Sequence, residues 1–199
     1  MLLSQTQLLH SSVEIGSISE VRGNAQVLRD KAYGAELQFD IQQMDDVRTE
    51  AGRVAITFED DSTVKLTEHS KLVIDEYIYD PDPSKSKMAL KFASGTARFI
   101  TGKFNNKSNI SIKTPTADIA IRGTDFTCTV DELGRSLVIL LPDENGISSG
   151  EILVSTAMGS VTLNKPYQAT TVSVYENNPT KPVTLDISLD LIDNMLIVN

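Results

Sequence analysis

The sequence predicts an all-β protein, and three observations carry that reading. Val, Ile and Thr fill a quarter of the 199 residues, and β-branched side chains suit the pleated surface of a sheet. Apolar and polar residues alternate with period two through short runs, as with Val54, Ile56 and Phe58 against Ala55 and Thr57. Turn-forming clusters recur at a spacing of about 8–12 residues, as in sandwiches, barrels and solenoids. The expected architecture is many short strands in two stacked sheets, as a sandwich or a flattened β-helix, with a C-terminal apolar arm.

Taken in order, residues 1–14 read as an N-terminal arm. They lack the basic start and unbroken apolar stretch of a secretory signal. Ile18, Val21, Ala25 and Val27 mark two short strands with a turn at Arg22-Gly23-Asn24. Val47 to Thr49 forms a strand, closed by a turn at Glu50-Ala51-Gly52. The run through Phe58 comes next, then a turn at Glu59 to Ser62, a strand with Val64 and Leu66, and a β-prone run from Leu72 to Tyr79. Asp80 to Lys87 is an exposed loop, because its two prolines cannot sit in a central strand. Strands follow at 88–92, 95–101, 110–113, 118–122, 124–130, 137–141, 151–155, 160–163 and 170–175. The β domain thus spans 15–176. Residues 177–199 form a linker and a C-terminal strand or short helix, with Leu185, Ile187, Leu189 and Leu191 alternating against polar neighbours. So apolar a tail buries either on its own domain or on a neighbouring subunit.

Composition narrows the function. The formal charge is −9, which disfavours a duplex nucleic-acid partner. One Cys and two His leave no disulfide framework, no Cys-rich zinc site and little acid–base inventory. No window reaches the roughly 18–20 apolar residues of a membrane span.

Two runs resemble the FecR-like domain. The first is Val47-Arg48-Thr49 through Gly52-Arg53, Ile56, Phe58, Asp60, Ser62, Val64 and Leu66 to Leu72. The second and more specific joins Thr114-Pro115 to Arg122-Gly123-Thr124-Asp125-Phe126. Gly16-Ser17-Ile18 and Gly95-Thr96-Ala97-Arg98 agree as flanking features, so the resemblance covers about residues 15–165. Well-known FecR-type members are envelope sensors that regulate an extracytoplasmic sigma factor, with a cytoplasmic segment and one membrane span, neither of which is present in this sequence. The chain looks most similar to the short, signal-less versions carried by marine contractile-tailed phages. That resemblance implies a non-enzymatic virion component of tail, baseplate or neck, made in the host cytoplasm. Its partners would be other virion proteins and copies of itself, through the candidate interface residues Leu185, Ile187, Leu189 and Leu191. The alternatives are a soluble FecR-like regulatory or sensing domain, and a binder of host-surface glycans through Tyr77 and Tyr79.

The residues themselves suggest binding and architecture rather than catalysis. Thr114-Pro115 sets an extended entry to a strand, Gly123 permits positive φ or close approach, and Arg122 offers a planar fork to carboxylates or carbonyls. His69 lies beside Ser70 in a turn, but adjacent residues seldom supply triad geometry. Cys128 shares an apolar face with Phe126 and Val130 and reads as a buried thiol. Asp45-Asp46, Asp60-Asp61 and the Asp80/Asp82 loop read as solvated turn residues rather than a calcium site. Gly146, Gly150 and Gly159 fit strand turns, not a phosphate cradle. No cofactor or metal is expected.

Overall fold

The three longest strands organise the molecule, each changing partners part-way along. The computed structural model describes residues 14–103, 109–175 and 178–188. β1 (Glu14–Leu28) carries the short β2 (Ala32–Gly34) and β3 (Asp40–Gln42) on one edge and pairs along the other with β4 (Asp46–Phe58). The far edge of β4 is shared end to end: Val54–Thr57 pairs with β5 (Thr63–Leu66) and Asp46–Arg48 with β6 (Lys71–Ile78). β7 (Lys87–Ile100) receives both, β6 on its first half and β5 on its second.

Beyond β7 the sheet divides. The first half of β7 pairs in parallel with β8 (Asn109–Lys113), followed by β9 (Asp118–Arg122), β12 (Glu151–Thr156) and β13 (Gly159–Leu163). The second half pairs with β10 (Asp125–Val130), then β11 (Ser136–Leu140), β14 (Gln168–Val172) and β15 (Val183–Thr184). The two branches face each other across one core that includes Ile18, Val54, Phe92, Phe126, Ile119 and Val154. Every described pairing is antiparallel except β7 with β8. A β-helix would stack parallel rungs, so the all-β expectation resolves to a sandwich. Among the described residues no helix is long and apolar enough to cross a membrane.

Three expected turns are strand interiors. Arg22-Gly23-Asn24 lies within β1, Glu50-Ala51-Gly52 within β4, and the expected gap at residues 93–94 within β7. The glycines in these stretches mark where each strand passes from one layer to the other. Gly23 and Gly52 face each other in register beside a register shift, and Gly23 has φ +66°. Gly95 has φ +92°, and an added Cβ there would lie 2.2 Å from Ser70 Oγ and 2.5 Å from Ser70 Cα. Turn chemistry and bulge chemistry use the same residues, so local sequence does not separate them. The short β2 and β3 were not expected.

At the C-terminus, where a strand or short helix was expected, the described residues hold the two-residue β15. Thr180, in the segment read as a linker, donates its N–H to Thr171 O at 2.9 Å and accepts from Thr171 N–H at its hydroxyl. Pro179 is buried. Ile187 packs against the buried Leu141 of the chain's own body, as do Ile139 and Tyr167, and the Leu185 N–H bonds Tyr167 O at 2.9 Å. Leu189, Leu191 and nearly all of the N-terminal arm lie outside the described residues.

Gly95→Ala is expected to lower the unfolding free energy by about 2–4 kcal/mol in urea denaturation, from strained φ plus overpacking. Gly34→Ala, with open space above its Cα, should shift it by less than about 0.5 kcal/mol.

Candidate functional site

The FecR-like signature lies where the two layers meet. The turn between β8 and β9 is closed by Thr114, whose N–H bonds Ala117 O at 2.9 Å and whose hydroxyl accepts from the Ala117 N–H at 2.9 Å. Pro115 presets the turn backbone and stays exposed. Thr116 reaches across to the other layer. Its hydroxyl lies 2.9 Å from Gly134 O and 2.8 Å from Ser136 Oγ, and Ser136 Oγ in turn bonds Thr114 Oγ1 at 2.7 Å. A second crossing lies at the other end of β9, where Gly123 adopts φ +55°. Thr101 and Thr124 bond each other there: Thr101 N–H donates to Thr124 O at 3.0 Å, and Thr124 N–H to Thr101 Oγ1 at 2.7 Å. Gly150 lies so close to Gly123 O that a Cβ would meet it at 1.9 Å.

Arg122 is exposed and pairs across the strands with Glu151 at 3.3 Å. The more enclosed pair is one that residue-level reading passed over: Arg98 holds Asp125 with Nε–Oδ1 2.8 Å and Nη2–Oδ2 2.6 Å. Both residues stood inside the runs that carry the resemblance, Gly95 to Arg98 and Arg122 to Phe126, which is the signal that could have paired them. Phe126 is fully buried and stacks on Phe99 at 5.1 Å between ring centroids. Beside them lies an open cleft of about 460 Å³, lined among others by Arg98, Thr101, Thr124, Asp125 and Ser149. Thr124 is buried, and its hydroxyl has no hydrogen-bond partner among the described residues. Ser149 is engaged with backbone, donating to Leu141 O at 2.7 Å and accepting from Asp125 N–H at 3.0 Å.

Two of the carboxylates expected in solvent are interior. Asp45 is fully buried and takes both arms of Arg29, at 2.7 and 2.8 Å, plus the Gln42 N–H at 2.8 Å. That fork holds the Arg29 guanidinium above its ordinary pKa. Asp60 is also fully buried, accepting from Tyr77 Oη at 2.9 Å and from Ser62 Oγ. Both stand at turns, but the folded neighbours close over them, which sequence polarity does not reveal. Among the described residues no cluster of three or more His, Cys, Asp and Glu side chains is placed to hold a metal.

Tyr77 is therefore no platform for a sugar. It is buried, stacked on Phe58 at 5.3 Å, while Tyr79 beyond β6 is exposed. Burial, and then the Asp60 charge, push the Tyr77 hydroxyl above its ordinary pKa, so it remains a donor. His69 sits exposed at φ +56°, and the buried Ser70 donates to Thr96 O at 3.2 Å; the two do not form a catalytic pair. Cys128 is fully buried, which pushes its thiol up to about 12.

Tyr77→Phe should cost about 1–3 kcal/mol, because it removes a donor from an interior carboxylate; thermal melts would read it. Native Cys128 should resist thiol reagents at about pH 8 and react fully in guanidinium. The folded thiol keeps its proton to higher pH than the unfolded one. Its stability contribution should be constant below the ordinary thiol pKa of 9.0 and fall as pH rises toward about 12.

Against known proteins, the model of the FecR protein family matches residues 45–161. Two crystal structures of a candidate anti-sigma factor from Parabacteroides distasonis ATCC 8503 share the fold, with TM-scores of 0.55 and 0.56 at 14% identity. Each match covers 71% of this chain and 60% of the other, so the chain spans less than two thirds of those proteins' length. No curated protein matches the sequence. The expectation of a virion structural component is overturned by the family match and these neighbours, which favour the regulatory alternative. The match runs from the start of β4 into β13, more than half of the chain, and the chain belongs to the FecR protein family.

Proposed function

We propose that the chain is a regulatory or sensing module that works by contact with a protein partner and performs no chemistry of its own. The observation that carries this is the FecR match over residues 45–161. The anti-sigma factor description of the structural neighbours points the same way. The local chemistry agrees with it. Ser70 and Ser149 spend their hydroxyls on backbone carbonyls, and Cys128 is sealed in the core.

A sandwich stiffened at both layer crossings is suited to presenting turns in fixed positions to a partner. The partner would be a transcription regulator or an envelope protein, engaged by a monomer of this chain. Deleting the chain in its native host should change transcript levels of a sigma-factor regulon by about fivefold or more, the range of ordinary allosteric couplings. Re-expression should restore them. An unchanged transcriptome, with the purified chain forming a closed homo-oligomer in light scattering, would overturn the proposal.

A further inference from the structure

The last described residues of the chain lead toward the cleft beside Arg98 and Asp125. Ala169 pairs with Ile139 of β11 on one side and with Val183 of β15 on the other, both antiparallel. β15 therefore runs in the direction of β11 and leaves the sheet beside the end of β11. Leu185 keeps to the ladder, its N–H on Tyr167 O. Ile187 then sits against the buried Leu141. Leu185 and Ile187 are half-buried, while Asp186 and Ser188 are exposed. The period-two alternation of this segment thus turns one face to the body.

Leu141, Asp125 and Ile100 form a row across the outer face of this layer. The Leu141 N–H bonds Asp125 O at 2.8 Å, and Asp125 is in register with Ile100. Their neighbours Leu140, Phe126 and Phe99 belong to the core, so the row points outward. Asp125 and Ile100 line the cleft of about 460 Å³, as do Pro142 and Ser149, and Ser149 Oγ donates to Leu141 O at 2.7 Å. The cleft therefore opens where Ile187 is seated. Paired strands lie about 4.8 Å apart, which puts Ile100 about 10 Å beyond Leu141. An extended chain gains about 3.3 Å per residue, so Leu189 and Leu191 would reach about 7 and 13 Å past Ile187. Ile100 and Pro142 offer apolar walls, and the buried Thr124 hydroxyl has no partner among the described residues.

We infer that this cleft is the seat of the chain's own C-terminal segment, with Leu189 and Leu191 continuing the face that Leu185 and Ile187 begin. Continuity selects this occupant. Only Ser188 separates Leu189 from a side chain already in place, so its effective concentration at the cleft is on the order of millimolar. A free partner or a second copy must reach the same walls from solution and lose its translational freedom. A backbone N–H or C=O entering with the leucines can meet the Thr124 hydroxyl. The inference concerns the tail alone and stands apart from the regulatory reading. A partner that used this cleft would have to displace the tail first.

The test is a designed disulfide in the full chain, Leu191→Cys with Glu144→Cys in the cleft wall. Native Cys128 is fully buried and does not compete. Mild oxidation should give an intrachain crosslink, seen as a faster-running monomer on a non-reducing gel. Leu191→Cys with Met158→Cys should crosslink at least about tenfold more slowly, since Met158 lies past the end of β12 remote from Arg122 and the cleft. Adding Leu189→Ser should slow the Glu144 crosslink about tenfold, the order expected for losing one buried leucine. Equal crosslinking at Glu144 and Met158, no effect of Leu189→Ser, or no crosslink at Glu144 would overturn the inference. Disulfide-linked dimers would assign the cleft to a second copy and overturn it too. A second measurement needs no added cysteine. Leu189→Ser with Leu191→Ser should speed amide hydrogen exchange over residues 142–149 about tenfold and leave residues 153–162 unchanged. Unaltered exchange over 142–149 would overturn the inference as well.

Discussion

Everything in this molecule depends on three strands passing from one layer to the other without breaking. β1, β4 and β7 each serve both layers, so their crossing points set how the layers face each other. The crossings are tight because backbone lies against backbone. A side chain at Gly52 would lie 2.4 Å from Asn24 O, and one at Gly23 2.3 Å from Ala51 O. Glycine supplies both the missing Cβ and, at Gly23 and Gly95, the positive φ. A single core can then fill the space between the layers, with Val54, Ile56, Phe92 and Phe126 all fully buried.

The family signature meets the same need where no long strand crosses. Thr116 bridges from β8–β9 to β11 and β14, and Gly123 carries the chain from β9 to β10. These residue types belong together because threonine hydroxyls satisfy backbone groups at a junction that ladder bonds cannot reach. The signature is thus architectural first. Its further consequence is the placement of loops: the same hydrogen bonds that join the layers hold the β8–β9 and β10–β11 turns at a common end.

Electrostatics divide the acidic residues into two roles. Asp45 and Asp60 are interior struts, each accepting at least two hydrogen bonds, which offsets the cost of removing a carboxylate from water. Most of the other described acids reach solvent, while Asp125 is largely enclosed with Arg98. An interior carboxylate of this kind ties a turn to a distant strand, as Asp60 ties Glu59–Ser62 to Tyr77 of β6.

The strand pattern was legible because period two is a local property: Val54, Ile56 and Phe58 bury as their alternation says. The family was legible because Thr114-Pro115 and Arg122 to Phe126 are contiguous in the chain. The crossings were misread as turns, since glycine beside polar residues is written the same way in a hairpin and in a bulged, continuous strand. Asp45 and Asp60 were misread as solvated because burial depends on what folds over a turn. The Arg98–Asp125 pair went unseen because its members sit 27 residues apart. By itself, then, the sequence determined the all-β class, most strand cores, the family and the lack of a Cys- or His-based inventory. The tertiary structure alone decided which strands run through, which carboxylates lie inside, and which turns share an end. Those outcomes are set by contacts between segments far apart in the chain, and no local pattern encodes them.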